Sequence, residues 1–214
     1  MRYKHIIFDF DGVLADSNNI RLEGFRMIFK DFPEHQVQQL IEYAKLNGGI
    51  SRYEKIRYFF EQIRNESIFD DKVQLLAKRY SELVKQNVID AAPVKGSLNF
   101  LSTYHDKYDF AVVSGSDQEE LREVCKARKI EHFFVEILGS PTTKESNIDI
   151  LLKKTGWGKK ECLFVGDSIN DYDAARKNDI DFLARNTGLM DWGSVKTLLV
   201  LNDLSELDSF LKGE

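Results

Sequence analysis

The sequence predicts an α/β protein, a mostly parallel sheet with an inserted all-helical subdomain. Three observations carry that expectation. Short β-branched and aromatic runs end repeatedly in acidic or Ser/Gly turns that open into helical patterns. From about residue 17 to 88 the apolar residues recur only at helical spacing. The chain has 214 residues, 43% hydrophobic and 30% charged, with three prolines. That length buries roughly 70% of its extended surface, enough for one large core or a core with an appendage.

The first strand is HIIFDF (5–10), a buried apolar run ending at Asp11-Gly12. Four amphipathic stripes follow: Leu22, Phe25, Ile28 and Phe29; Val37, Leu40, Ile41 and Ala44; Ile56, Phe59, Phe60 and Ile63; and Val73, Leu76, Ala77, Tyr80, Leu83 and Val84. A single crossover between parallel strands needs one helix, so four without a strand between them predict a separate helical unit. The chain is expected to leave the sheet near Ala15 and rejoin it near Pro93, giving residues 1–14 and 93–214 to the α/β core and 15–92 to a helical cap. YDFAVVSGS (108–116) is the next strand, before a helix from Asp117 to Arg128. FFVEIL (133–138) is another, followed by a helix over Asn147–Lys154. ECLFVGDS (161–168) then opens into a helix through Asp171 to Lys177. DFLA (181–184) and TLLV (197–200) are the last strand candidates, with a terminal helix around Asp203–Leu211.

Thirty basic against thirty-five acidic residues give a net charge of −5, which offers no broad attraction to nucleic acid or to an anionic membrane. Cys125 and Cys162 are far apart and belong to no CxxC or Cys/His cluster, so neither a zinc site nor a disulfide framework is expected. The acidic turn after Ile7-Phe8 interrupts the first apolar run too early for a signal peptide or a membrane span, and a reducing cytoplasm is the expected compartment.

Asp9 and Asp11 end the first strand, and Gly12 permits a tight turn beside them. Asp167 and Asp171 follow a later strand, where i,i+4 spacing into a helix directs both carboxylates to one point. Four acids therefore meet at the C-terminal edge of a parallel sheet, the usual ligand edge of open α/β folds. Clustered carboxylates repel one another unless a cation offsets them, and an all-oxygen set without His or Cys favours Mg²⁺. Taken alone, Asp171 or Asp16 would serve equally well as a helix cap. Ser114 of VVSGS fits either a cap or an anion cradle, since both place a hydroxyl and N–H groups at a helix start. A lone Lys144 in a polar loop reads as solvated surface.

Together these residues make the chain resemble the haloacid dehalogenase-like hydrolase superfamily, in its phosphoglycolate phosphatase and β-phosphoglucomutase-like branch with a helical cap. The motifs stand as DFDGVLADS (9–17), VVSGS (112–116), Lys144 and GDSINDYDAA (166–175), in order along nearly the whole chain. The resemblance implies a Rossmann-like core and a Mg²⁺-dependent phosphatase of a small phosphorylated metabolite. It makes Asp9 the nucleophile that forms an aspartyl-phosphate, and Asp11 the general acid and base. It gives Mg²⁺ to the Asp9 carboxylate, the Asp11 carbonyl and Asp167, with Asp171 in support, by orienting Lys144 or directly. Ser114 and Gly115 are then phosphate-binding and Lys144 neutralises nucleophile and phosphate; Arg52, in the expected specificity loop Gly48–Tyr53, fits equally a contact to a carboxylate or second anionic group of the substrate and a surface arginine at a helix start. Asp16, Ser17 and Asn18 fall near the hinge.

Asp11 argues against carbon–halogen cleavage, whose leaving group needs no proton, and against the Schiff-base phosphonate hydrolases, which lack that acid. A response-regulator receiver shares the acids but neither DxDG nor the long helical insertion. A phosphosugar mutase shares every motif and stays open as an alternative, as does a non-catalytic module that binds a phosphorylated ligand. One departure from the family pattern is PTTKESN, with Pro141 before Lys144 and no proline soon after it, which leaves the substrate subgroup open. A monomer or a homodimer is expected.

Overall fold

The computed structural model describes residues 2–213. Six strands, β1 (His5–Phe8), β2 (Asp109–Asp117), β3 (Phe134–Ser140), β4 (Cys162–Gly166), β5 (Asp181–Arg185) and β6 (Val200–Leu201), form one sheet in the order β3-β2-β1-β4-β5-β6. Every neighbouring pair is parallel, so all strand C-termini open on one edge.

Strand side chains alternate between the two faces, and both faces are covered, which is why these strands read as continuous apolar runs. Ile6, Phe8, Phe110, Val112, Leu163 and Val165 join the larger core, shared with the helices between β1 and β2. Ile7, Ala111, Val113, Phe164 and Phe182 point the other way, into a second core beneath α7 (Lys144–Thr155) and α8 (Ile169–Lys177).

Between β1 and β2 run α1 (Asn18–Ile28), α2 (Glu34–Leu46), α3 (Arg52–Tyr58), a π-helical turn over Phe59–Ile63, α4 (Asp70–Asp90) and α5 (Ser97–Tyr104). The four apolar stripes lie in α1 to α4 and the π turn. They close on one another through aromatic pairs, Phe29 stacked against Phe59 at 4.0 Å between ring centroids and Phe25 tilted against Tyr80 at 4.7 Å. Where the chain departs from and returns to the β1 loop, Ala15 and Pro93 form an antiparallel bridge, and the Asp16 amide donates to the Ala92 carbonyl at 2.9 Å. The remaining helices are α6 (Gln118–Ala127) and α9 (Leu207–Lys212). Among the described residues, no helix is long and apolar enough to cross a membrane.

Three elements differ from the sequence reading. Lys144 is not in a loop: α7 begins at this residue, because the Thr143 hydroxyl caps the helix by accepting from the Ser146 amide. The last strand is only Val200–Leu201, at a sheet edge where Leu198 and Leu199 stay 45% and 44% exposed. The terminal helix starts later, at Leu207, after a 3₁₀ turn over Leu204–Glu206 whose first amides are held by Asp203.

Candidate active site

The sheet edge gathers the sequence-identified residues from four strand ends: Asp9 and Asp11 after β1, Ser114 and Gly115 near the C-terminal end of β2, Lys144 beyond β3, and Asp167 and Asp171 after β4. Asp9, Asp11, Ser114, Gly115, Lys144 and Asp167 line one cavity. Asp9, Asp167 and Asp171 are buried, and each offers a carboxylate oxygen within 4.8 Å of the others. Gly12 makes this approach possible. At φ +75° a side chain is strained, and a Cβ there would lie 2.2 Å from Asp167 Oδ2.

Lys144 Nζ bridges two of the acids, at 2.8 Å from Asp9 Oδ2 and 2.5 Å from Asp171 Oδ1. The other oxygen of Asp171 accepts from the Ser168 hydroxyl at 2.6 Å and from the amides of Ser168 and Asp167 at 3.0 and 3.2 Å, forming the capping box of α8. Asp9 Oδ1 accepts from the Phe10 amide at 2.7 Å. Burial pushes the Asp9 carboxyl up to about 7; Lys144 opposes the rise and Asp171 adds to it. Burial and then the charges of Asp9 and Asp171 hold Asp167 well above the ordinary carboxylate range. For Lys144 burial works against the charge, but Asp171 and Asp9 outweigh it and raise its pKa.

Asp11 has a different environment. Its Oδ1 accepts from Arg21 Nε at 2.9 Å and Ser17 Oγ at 2.5 Å, and its Oδ2 accepts from Ser116 Oγ at 2.6 Å. Burial would raise this carboxyl, yet the Arg21 charge and these hydrogen bonds prevail and lower it. Ser17 occupies the N-cap position of α1 but makes no side-chain cap, since its hydroxyl is turned to Asp11 and to the Ala15 carbonyl. Asn18, one residue on, donates to Asp167 Oδ2 at 2.7 Å. The first turn of α1 thus faces the site through Ser17, Asn18 and Arg21.

Ser114 does not stand at a helix start. Asp117 caps α6, accepting from the Glu120 amide at 3.1 Å, while Ser114 Oγ accepts from the Ser116 amide at 3.2 Å inside the cavity wall. Asp16 is exposed and its side chain lies outside this network. Arg52 lines the cavity at 4% exposure, but its guanidinium is engaged: Nη1 donates to Glu120 Oε2 at 2.5 Å and to Ser81 Oγ, and the group stacks over the Tyr80 ring at 4.7 Å. Glu120 also receives Arg21, so one buried carboxylate joins two arginines. Sequence reasoning passed over Arg21, Ser116, Glu120 and Lys55, all of which line or support the cavity. A signal for three of them exists: Arg21 shares a stripe with Phe25 and Ile28, Lys55 lies four residues before Phe59, and Glu120 four before Val124.

The lid of the cavity is the loop before α3. A Cβ on Gly115 would lie 2.4 Å from the Gly49 carbonyl oxygen, and one on Gly49 would meet Ser168 Oγ at 2.7 Å and Lys144 Nζ at 3.2 Å. The two glycines let this loop lie directly on the site. The arrangement offers an ionisable nucleophile, a second carboxylate, a bridging lysine and an all-oxygen cluster whose excess negative charge suits a hard dication.

Residues 6–185 match the family model described as haloacid dehalogenase-like hydrolase. A phosphoglycolate phosphatase of Pasteurella multocida is 26% identical over 182 residues, covering 81% of each chain. A hydrolase structure from Pseudomonas syringae superposes with a TM-score of 0.81 at 19% identity over 98% of both chains. CbbY from Rhodobacter sphaeroides, in complex with phosphate, superposes with a TM-score of 0.79 at 15% identity, over 97% of this chain and 96% of that one.

Proposed function

The chain belongs to the haloacid dehalogenase-like hydrolase family, and from that membership we propose that it is a Mg²⁺-dependent phosphatase of a small phosphomonoester, working through an aspartyl-phosphate. The observation that carries the reading is Lys144, held between Asp9 and Asp171. A buried carboxylate attacks an anionic phosphorus only where a fixed cation offsets the repulsion, and this lysine provides one. The phosphoglycolate phosphatases among the relatives support a small anionic metabolite as substrate.

In this reading Asp9 attacks phosphorus, and the bond from phosphorus to the leaving oxygen breaks. The leaving oxygen takes its proton from Asp11. Water then attacks the phosphorus of the acyl phosphate, giving its proton to the Asp11 carboxylate, and phosphate leaves with Asp9 restored. Ser114, Gly115 and Ser116 receive the phosphate oxygens. As found, Asp11 is charged and gripped by Arg21, Ser17 and Ser116, which favours the base half of its work; the acid half requires it to turn away from Arg21.

Asp9 and Asp167, with the Asp11 carbonyl, would hold Mg²⁺. The fit rests on the oxygen-only donor set and on three buried carboxylates facing a single lysine. The bound ion supplies charge neutralisation at the phosphoryl oxygens. Residues 15–92 act as the cap, with the loop around Gly49 excluding water from the phosphoryl site.

The test is phosphate release from a panel of phosphomonoesters with and without Mg²⁺. Asp9→Asn is expected to lower the rate at least about a thousandfold, a scale set by losing the covalent path. Undiminished turnover by that variant removes Asp9 as the nucleophile.

A further inference from the structure

Lys55 on α3 is 7% exposed and lines the same cavity as Asp9, Ser114 and Lys144. Its ammonium donates to the Gly48 carbonyl at 3.3 Å and lies 5.9 Å from the Phe25 ring centroid. The other buried cations of the lining are already matched: Arg21 by Asp11 and Glu120, Arg52 by Glu120, and Lys144 by Asp9 and Asp171. Among the described residues, no carboxylate forms an ion pair with Lys55. A lysine this deep is ordinarily paired, because an uncompensated buried charge is costly.

We propose that Lys55 is the specificity-determining residue for the distal end of the substrate, and that it selects short phosphomonoesters carrying a carboxylate. The inference rests on the phosphatase reading and names its substrate class. A carboxylate fits better than a second phosphate because, of these cations, only the Lys55 ammonium lacks an ion pair, while both guanidinium groups are held by carboxylates and only Arg21 Nη2 is left without a hydrogen-bond partner. Phe25 lies near the amine, and Leu22 is a further apolar residue of the same cavity lining. A monoanion would match the single ammonium, whereas a dianion would leave net charge in a dry pocket.

Burial, reinforced by the nearby positive charge of Lys144, lowers the Lys55 ammonium from 10.5 to about 7; Asp11 and Glu54 oppose this from a distance and Arg21 adds to it. An arriving carboxylate would keep the amine protonated, so recognition and charge state reinforce one another.

The test compares 2-phosphoglycolate with hydroxyethyl phosphate, which replaces the carboxylate by a neutral hydroxymethyl group. Both are assayed with Mg²⁺ on the wild type and on Lys55→Met, Lys55→Gln and Lys55→Arg. The wild type is expected to prefer the carboxylated ester. In Lys55→Met the ratio of the two kcat/KM values should fall about tenfold to a hundredfold, carried by KM, as for loss of a charge-assisted hydrogen bond. Lys55→Gln should lose nearly as much and Lys55→Arg should restore most of the preference. Thermal melts accompany the kinetics, and removal of a lone buried charge should leave Lys55→Met at least as stable as the wild type. A ratio that moves less than about threefold in both Met and Gln variants, or a wild type without preference, overturns the inference and leaves the phosphatase reading standing. Hydrolysis of neither ester by the wild type also overturns the inference, while the phosphatase reading is decided by the wider phosphomonoester panel.

Discussion

Glu120 joins two arginines at the cavity wall, and Glu120→Gln tests what that junction contributes. The carboxylate joins Arg21 of α1 and Arg52 of α3 to the start of α6, with Arg52 and the glutamate buried and the Arg21 side chain 11% exposed. Burial alone would raise the Glu120 carboxyl, but Arg21 and Arg52 outweigh it and bring it from 4.5 down to about 2. At about 1.4 kcal/mol per pH unit, that depression contributes about 3 kcal/mol to the folded state. Removing one partner of a buried ion pair costs a similar 3–5 kcal/mol or so, because the remaining charges stay buried and unpaired. A depressed carboxyl stabilises above its unfolded value and loses that contribution as pH falls through its folded value. The deficit of the Gln variant should therefore be level between about pH 5.5 and 8, then shrink by more than about 1 kcal/mol by pH 3.5. Denaturant unfolding followed by tryptophan fluorescence and circular dichroism, at a series of pH values, reads this directly. A deficit below about 1 kcal/mol at pH 7, or one that does not change at low pH, would refute the two-arginine grip.

Two other perturbations address the site. Asp167→Asn removes a buried carboxyl held high by its neighbours, so the metal-free variant should melt a few degrees above the wild type, on the order of 2–4 °C per kcal/mol relieved. It should also lose most of the further rise that Mg²⁺ gives the wild type; equal Mg²⁺ increments in calorimetry would exclude Asp167 as a ligand. Gly115→Ala puts a methyl where the Gly49 carbonyl now lies, so kcat/KM should drop at least about tenfold while the melting temperature moves little, and activity within twofold of wild type would mean the loop need not close there.

The sheet and the acids were legible because each announces itself locally. A strand buried on both faces is a continuous apolar run; Asp9, Asp11 and Asp167 stand just after such runs, and Asp171 follows in the first turn of the next helix. Ser114 was legible as a site residue but not as to its backbone setting, since only the capping bond of Asp117 fixes where α6 begins. Lys144 was legible only through the motifs around it, because nothing local distinguishes a helix-start lysine from a surface one. Arg21, Lys55 and Glu120 escaped for a different reason. Charged residues on an amphipathic helix read as its wet face; each of these falls in register with apolar neighbours, but which charge it meets is decided only when α1, α3 and α6 come together over the sheet edge. Arg52 was placed near the substrate, and the structure brings it to the cavity wall with its charge already matched by Glu120.

The two oxygens of Asp171 face different tasks: one closes the first turn of α8 and the other fixes Lys144. Fraying of that helix would therefore loosen the lysine at the same moment, and on the proposed reading a badly folded copy would be silenced rather than left half active. The same linkage narrows what evolution can try at this position. A side chain one carbon longer would misplace the turn or the lysine, and an amide would keep the turn but release the lysine's counter-charge. On the proposed phosphatase reading, helix integrity and reactivity therefore meet at a single carboxylate.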